Sequence, residues 1–180
     1  MTEAKPFKPV KLICGLIASE ERYFEKAEIR LVEIYGPVDH LSPLFDFNWT
    51  DYYEKQMGKG LKRKFLSFEE LIPPEKLGAI KIRTNELEQE IKSEFKASLR
   101  VVNLDPGYIT ASALIMATAK DFAHRIPLQQ GIYAHLELLF SKKGVKILDW
   151  TYPDFKTSGY QRFFREIREI YLKQLQTQRS

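Results

Sequence analysis

Cysteine occurs only once, at Cys14, so an internal disulfide and a tetrahedral cysteine metal site are both excluded. That residue stands in the apolar run LICGLIA, which suits a buried, inert thiol. No apolar stretch approaches the roughly 18 residues needed to cross a bilayer. The opening MTEAKPFKPV is polar, with no long apolar run behind it. A cytoplasmic protein without a signal peptide and without a membrane partner is the expectation. The strong nucleotide and hydrolase signatures are missing too. A Walker loop on Gly58 and Lys59 would need a glycine where Tyr53 stands and a Ser or Thr where Gly60 stands. No GxGxxG, GxSxG, HExxH or paired CxxC occurs.

What is present is enough for a folded core. Apolar residues make up 44% of the 180, and aromatics 13%, which excludes general disorder. The net charge of +4 permits a phosphate-bearing partner without requiring one, since nucleic-acid binders concentrate their charge on one surface.

VKLICGLIAS is apolar without interruption and predicts a strand buried on both faces, hence central in a sheet. Ser19 is positioned to cap a following helix with Phe24, Ala27, Leu31 and Ile34 on its buried face, ended by Gly36-Pro37. PLFDFNWT alternates as a half-buried strand, and Thr50 or Asp51 can cap a short helical turn after it. KRKFLSFEEL reads as a strand, and Pro73-Pro74 can open a helix that continues to Phe95, interrupted near Gly78. LRVVNLDPGY predicts a strand ending in a turn at Asp105-Pro106-Gly107. In GIYAHLELLF, Ile132, Ala134, Leu136, Leu138 and Phe140 share one face, and Tyr133, His135 and Glu137 the other. SKKG is a hairpin loop that pairs Phe140 with Val145. From Ser158 a helix carries an apolar stripe from Tyr160 to Leu175. Its opposite face spaces Arg162–Glu166, Arg165–Glu169 and Glu169–Lys173 for ion pairing.

The predicted fold is α+β with a mixed, mainly antiparallel sheet. Its first half is a ferredoxin-like split β-α-β, extended by β-hairpins and closed by a C-terminal amphipathic helix. One domain spans 1–180, with a basic, flexible tail over 1–9 and a frayed end over 176–180.

Chemistry-bearing residues cluster first in AKDFAHRIP, where a loop can gather Lys120, His124 and Arg125 around a phosphate or carboxylate. The alternative is a solvated surface turn. Tyr133 could add stacking or a hydroxyl. Asn103 and Asp105 share a strand face, as do Asp46 and Asn48; such pairs can bind magnesium or act as bases. They also suit turn and cap positions. In GKGLKRK, Lys59, Lys62, Arg63 and Lys64 could hold a phosphate backbone with Tyr52, Tyr53 and Phe65 nearby for stacking, or form an exposed basic hairpin loop. His124, His135 and Glu137 are ligand types, but a turn and a mid-strand position separate them, and no metal site is expected.

FDFNWTDYYEKQMG, NLDPGYIT, ATAKDFAHRIPLQQGIYA and WTYPDF, in this order, resemble the uncharacterised bacterial family called domain of unknown function 4416. The resemblance runs from about Pro9 to Tyr171 and implies a small single-domain cytoplasmic protein without an established activity, substrate or catalytic residue. The motifs contain Asp46, Asn48, Tyr53, Asn103, Asp105, Lys120, His124, Arg125, Tyr133 and Asp154, which favours a shared pocket. The leading expectation is a protein that binds an anionic ligand, a nucleotide or nucleic-acid phosphates, through Lys120, His124 and Arg125. The alternatives are a phosphoester hydrolase using His124 or Asp105 as acid–base group, and a protein interaction module. No cofactor is specified.

Overall fold

The computed structural model describes residues 3–177. Strand β1 (Val10–Ala18) is buried at every position and lies between β4 (Lys62–Ile72) and β5 (Val102–Ile109), the central place its unbroken apolar run requires. Outward from β4 comes β2 (Val38–Leu41). On the other side β5 is followed by β6 (Ala113–Thr118), β8 (Ile132–Ser141) and β7 (Ile126–Gln129). Short strands β3 (Phe45–Asp46) and β9 (Gly144–Ile147) pair with β4 and β8. Every pairing among the described residues is antiparallel, so the sheet is not mixed.

Helices cover both faces. Leu12, Cys14, Leu16 and Ala18 of β1 pack with Phe24, Ala27 and Leu31 of α1 (Glu21–Tyr35) and with Leu87 and Ile91 of α3 (Leu77–Glu94). Ile13 points the other way, into a cluster with Phe163, Phe164 and Ile167 of α4 (Ser158–Thr177). Ile17 meets Phe47, Leu61 and Met57 of α2 (Asp51–Met57) on that same side. The period-2 alternation of one strand thus feeds two cores. Each fully buried Leu, Ile or Phe contributes about 1.5–3 kcal/mol.

Several boundaries differ from expectation. Glu20, not Ser19, is the N-cap of α1, and it makes no side-chain cap bond; Thr50 does cap α2, accepting from the Tyr52 amide at 3.1 Å. The PLFDFNWT strand shrinks to Phe45–Asp46. Gly78 does not interrupt α3; the helix passes so close to Gln129 there that a Cβ would lie 2.7 Å from its Cγ, which a glycine avoids. Helix α4 runs without a break to Thr177, so residues 176–177 are helical; 178–180 lie outside the described residues. Two of the expected α4 partners pair elsewhere: Glu166 approaches His40 at 2.9 Å, and Glu169 meets Arg168 at 3.2 Å.

Two differences shape the site. Asp105-Pro106-Gly107 is not a turn but the middle of β5, held by pairing with Gly15, Cys14 and Ile13. The reversal comes at Thr110–Ala113, where the Thr110 hydroxyl accepts from the Ser112 and Ala113 amides. Pairing of β5 with β6 stops at Gly107↔Met116, just before Pro106, which has no N–H to continue the ladder. In β8 the register with β6 slips between Leu138 and Leu136, leaving Glu137 as a bulge residue. Strict alternation therefore fails. His135 and Glu137 are buried before and at the bulge, Leu138 and Phe140 after it, while Ala134 and Leu136 are only partly buried. The expected Phe140↔Val145 pair does form.

Candidate functional site

Where β5 and β6 part, a cavity of about 350 Å³ opens on the α4 side of the sheet. Such a volume lies at the lower end of small-ligand sites. Asp105 lines it from β5, and Met116, Ala117 and Thr118 from β6. Phe47, Trp49, Tyr52 and Tyr53 close it from the chain entering and forming α2. The opposite wall is Tyr152–Phe155. This wall exists because β7 and β9 leave a gap along the outer edge of β8. Trp150 Nε1 donates to the Leu136 carbonyl (2.8 Å), Thr151 Oγ1 to the Glu137 carbonyl (2.6 Å), and the Tyr152 amide to Glu137 Oε1 (2.7 Å). The bulge that turns Glu137 inward thereby fixes the segment that carries Tyr152 and Asp154.

Arg63 lies at the floor, with 4% of its side chain exposed. It belongs to β4, paired with Ile17, and alternates with the buried Leu61 and Phe65. Its Nη1 is 3.3 Å from Asp105 Oδ2 and its Nη2 3.8 Å from Asp154 Oδ2. The guanidinium also lies over the rings of Phe47 (5.1 Å) and Phe65 (5.2 Å). The guanidinium donates no aligned hydrogen bond among the described residues: Nε and Nη1 are buried without a hydrogen-bond acceptor, and the contact of Nη1 with Asp105 is an ion pair only. Burial opposes its charge, but Asp105 and Asp154 outweigh that and hold its pKa above the ordinary value.

Asp105 is fixed by Asn103, whose Nδ2 donates to Oδ2 at 2.7 Å, and Asn103 in turn accepts from Arg100 at 2.5 Å. Lys81 of α3 donates to the Leu104 carbonyl (2.7 Å) with Nζ 3.7 Å from Asp105. Asp154 is different: no side chain among the described residues donates a hydrogen bond to its carboxylate, and burial raises its pKa against the pull of Arg63. Burial likewise raises Tyr53 and Tyr152, so both phenols stay neutral near pH 7.

The AKDFAHRIP loop contributes unevenly. Lys120 lines the cavity, with Nζ 4.0 Å from the Tyr52 ring centroid. Arg125 is outside the lining and fully engaged: Nε donates to His135 Nδ1 (3.1 Å), Nη1 to the Lys120 carbonyl (2.7 Å) and Nη2 to Tyr152 Oη (2.6 Å). Because Arg Nε can only donate, His135 Nδ1 is an acceptor. The other ring nitrogen of His135, Nε2, faces Glu137 Oε2 at 2.8 Å, off hydrogen-bond alignment. His124 stacks on Trp150 (4.7 Å, 11°) with Nε2 3.1 Å from His135 Nδ1. Burial, then His135 and Arg125, lower its pKa, so it is neutral at pH 7.

Of the remaining candidates, Tyr53 lines the cavity and Asn103 stands behind Asp105. Tyr133, opposite Thr118, is outside the lining, as are the exposed Asp46 and Asn48; Asp46 pairs with Lys62 at 2.5 Å. Arg63, at the end of the basic segment, is the residue missed as a site centre. Its signal was its place in Leu61, Arg63, Phe65, a charge in an apolar alternation. No cluster of three or more His, Cys, Asp or Glu among the described residues is placed to hold a metal ion. No described helix is long and apolar enough to cross a membrane.

Residues 8–171 match the family model of a domain of unknown function, DUF4416. The chain belongs to this family. Comparison with curated proteins and with solved structures returned no match. Membership in DUF4416 covers every lining residue of the cavity, so the site lies wholly within the family's domain.

Proposed function

We propose that this DUF4416 protein binds a small organic anion with a planar ring in the cavity over Arg63. The observation that carries this is Arg63 itself: a buried guanidinium with unused donors, set in an aromatic-walled cavity. A buried unpaired donor costs about 1–3 kcal/mol, which an acceptor atom of a ligand would recover. Tyr52, Tyr53, Tyr152 and Phe155 offer ring faces and edges for a flat ligand. Lys120, exposed in the lining, supplies the positive charge for the anionic group, while Arg125 and His124 hold the loop that carries it. A nucleotide fits this description better than nucleic-acid phosphates do, because the cations are gathered at one cavity rather than spread along a strip. The strand order β2-β4-β1-β5 supports a ferredoxin-type first half, onto which the β6–β9 region adds the cavity's far wall.

The test is a thermal-shift panel of mononucleotides, sugar phosphates, aromatic carboxylates and inorganic phosphate, run at low salt on wild type and on the Arg63→Met and Tyr52→Ala variants. A true ligand at about 100 times its Kd raises Tm by about 5–10 °C. The shift is lost in Arg63→Met and reduced in Tyr52→Ala, whose exposed side chain leaves the fold intact. A ligand that stabilises all three proteins equally sinks the assignment.

A further inference from the structure

Resting on the binding function proposed above, we infer that the cavity takes a free mononucleotide with its base inward. The nucleobase edge would meet Arg63, Asp105 and Asp154, and the phosphate would stay at Lys120.

The charge at the floor decides the orientation. Among the described residues Arg63 is the one cation lining that floor; two carboxylates stand 3.3 and 3.8 Å from it, and Lys81, behind the floor, reaches only Asp105, at 3.7 Å. A phosphate pressed onto the guanidinium would meet both carboxylates, whose repulsion opposes the attraction of Arg63. A neutral ring edge meets no such penalty. The guanidinium donates to a carbonyl or ring nitrogen, and a carboxylate accepts from an adjacent N–H. That alternation of donor and acceptor is the hydrogen-bonding edge of a nucleobase, read in a dry site where each mismatch leaves a buried polar group unpaired.

Asp154 has acceptor capacity to spare, since no side chain among the described residues donates to it and only its own amide does, whereas Asp105 already accepts from Asn103. The rings of Phe47, Tyr53, Tyr152 and Phe155 suit stacking of a base. A volume of about 350 Å³ is of the size of one base with its ribose. Lys120 rests against Tyr52 with its ammonium 4.0 Å from the ring centroid, where it can meet a phosphate without crossing the floor carboxylates.

Isothermal titration of the full chain separates the possibilities. The titrants are the common nucleosides, their 5′-monophosphates, ribose 5-phosphate, benzoate and a short single-stranded RNA. The proteins are wild type, Lys120→Ala and Asp154→Asn. For at least one base, nucleoside and nucleotide both bind, the nucleotide about fivefold tighter, the gain of one exposed charge contact. Lys120→Ala removes that difference. Asp154→Asn weakens both by about tenfold or more, the loss of a buried hydrogen bond, while its melting curve verifies the fold. If ribose 5-phosphate binds as tightly as the nucleotide, or benzoate binds where nucleosides do not, the organic-anion function survives and the base-inward orientation is wrong. RNA binding tighter than its monomers also overturns the inference. No binding by any titrant removes both.

Discussion

A Cβ on Gly15 would stand 2.7 Å from Arg63 Nη1. Gly15 pairs with Phe65 on one side and with Asp105 on the other, so the central strand is bare at the point where the guanidinium crosses it. The cation is seated in the space a side chain would fill, between its strand and its carboxylate partner.

Gly15→Ala is therefore expected to cost about 1–3 kcal/mol, the range for overpacking a close-packed core. Its Cβ also meets Phe65 Cε1 at 2.8 Å, so neither neighbour can yield freely. Urea unfolding measures the loss, and a midpoint equal to wild type would show that Arg63 has another place to go. Ligand binding through Arg63 falls in the same variant.

Asp154 sets a pH dependence of stability. Its folded pKa is raised from the ordinary 3.8 by burial, against the opposing pull of Arg63. A raised carboxyl contributes stability that is fully present below pH 3.8 and is lost as the pH climbs through the folded value. Asp154→Asn removes that loss and should melt higher than wild type at pH 7, with the advantage shrinking as the pH falls toward 3.8. Calorimetry across this window checks it; equal melting temperatures at pH 7 would mean that Arg63 fully compensates the buried charge. Better stability joined to weaker binding would place Asp154 among residues kept at the expense of the fold.

Arg125 should behave as a clamp. Its fork joins the Lys120 carbonyl, His135 and Tyr152 Oη. Arg125→Ala is expected to destabilise by about 1–3 kcal/mol. Arg125→Lys should recover little, because one ammonium cannot span three acceptors in a fixed plane. Hydrogen exchange would show faster opening of residues 118–126 in both variants, and unchanged protection there would deny the clamp.

The parts of the fold legible in the sequence were those carried by long, regular patterns. The unbroken run at β1 placed it at the centre, and the stripe from Tyr160 to Tyr171 located α4 and its buried face. Asp105 and Lys120 stood out because polar residues were scarce around one and clustered around the other. Arg63 was hidden by its neighbours: in linear order it belongs to a basic segment, and only strand parity turns it away from Lys62 and Lys64. The Asp-Pro-Gly stretch has strong turn chemistry, yet pairing with β1 holds it extended. The role of Trp150 to Asp154 depends on a gap between two strands that pair with a third, a relation no local pattern records.

The extra residue at Glu137 makes β8 two strands in one. Upstream of it, His135 serves the cavity and Ile132 packs with Leu77 of α3; downstream, Leu138 and Phe140 serve the core under α4. Removing one residue at this point would erase the bulge and restore strict alternation; both halves would keep their faces, but the inward Glu137, which holds the Tyr152 amide, would be lost from the wall of the site. The length of this strand is consequently as constrained as its composition. Insertions and deletions in this region belong in the Ser141–Gly144 reversal, where a change of length leaves both halves facing as they do now.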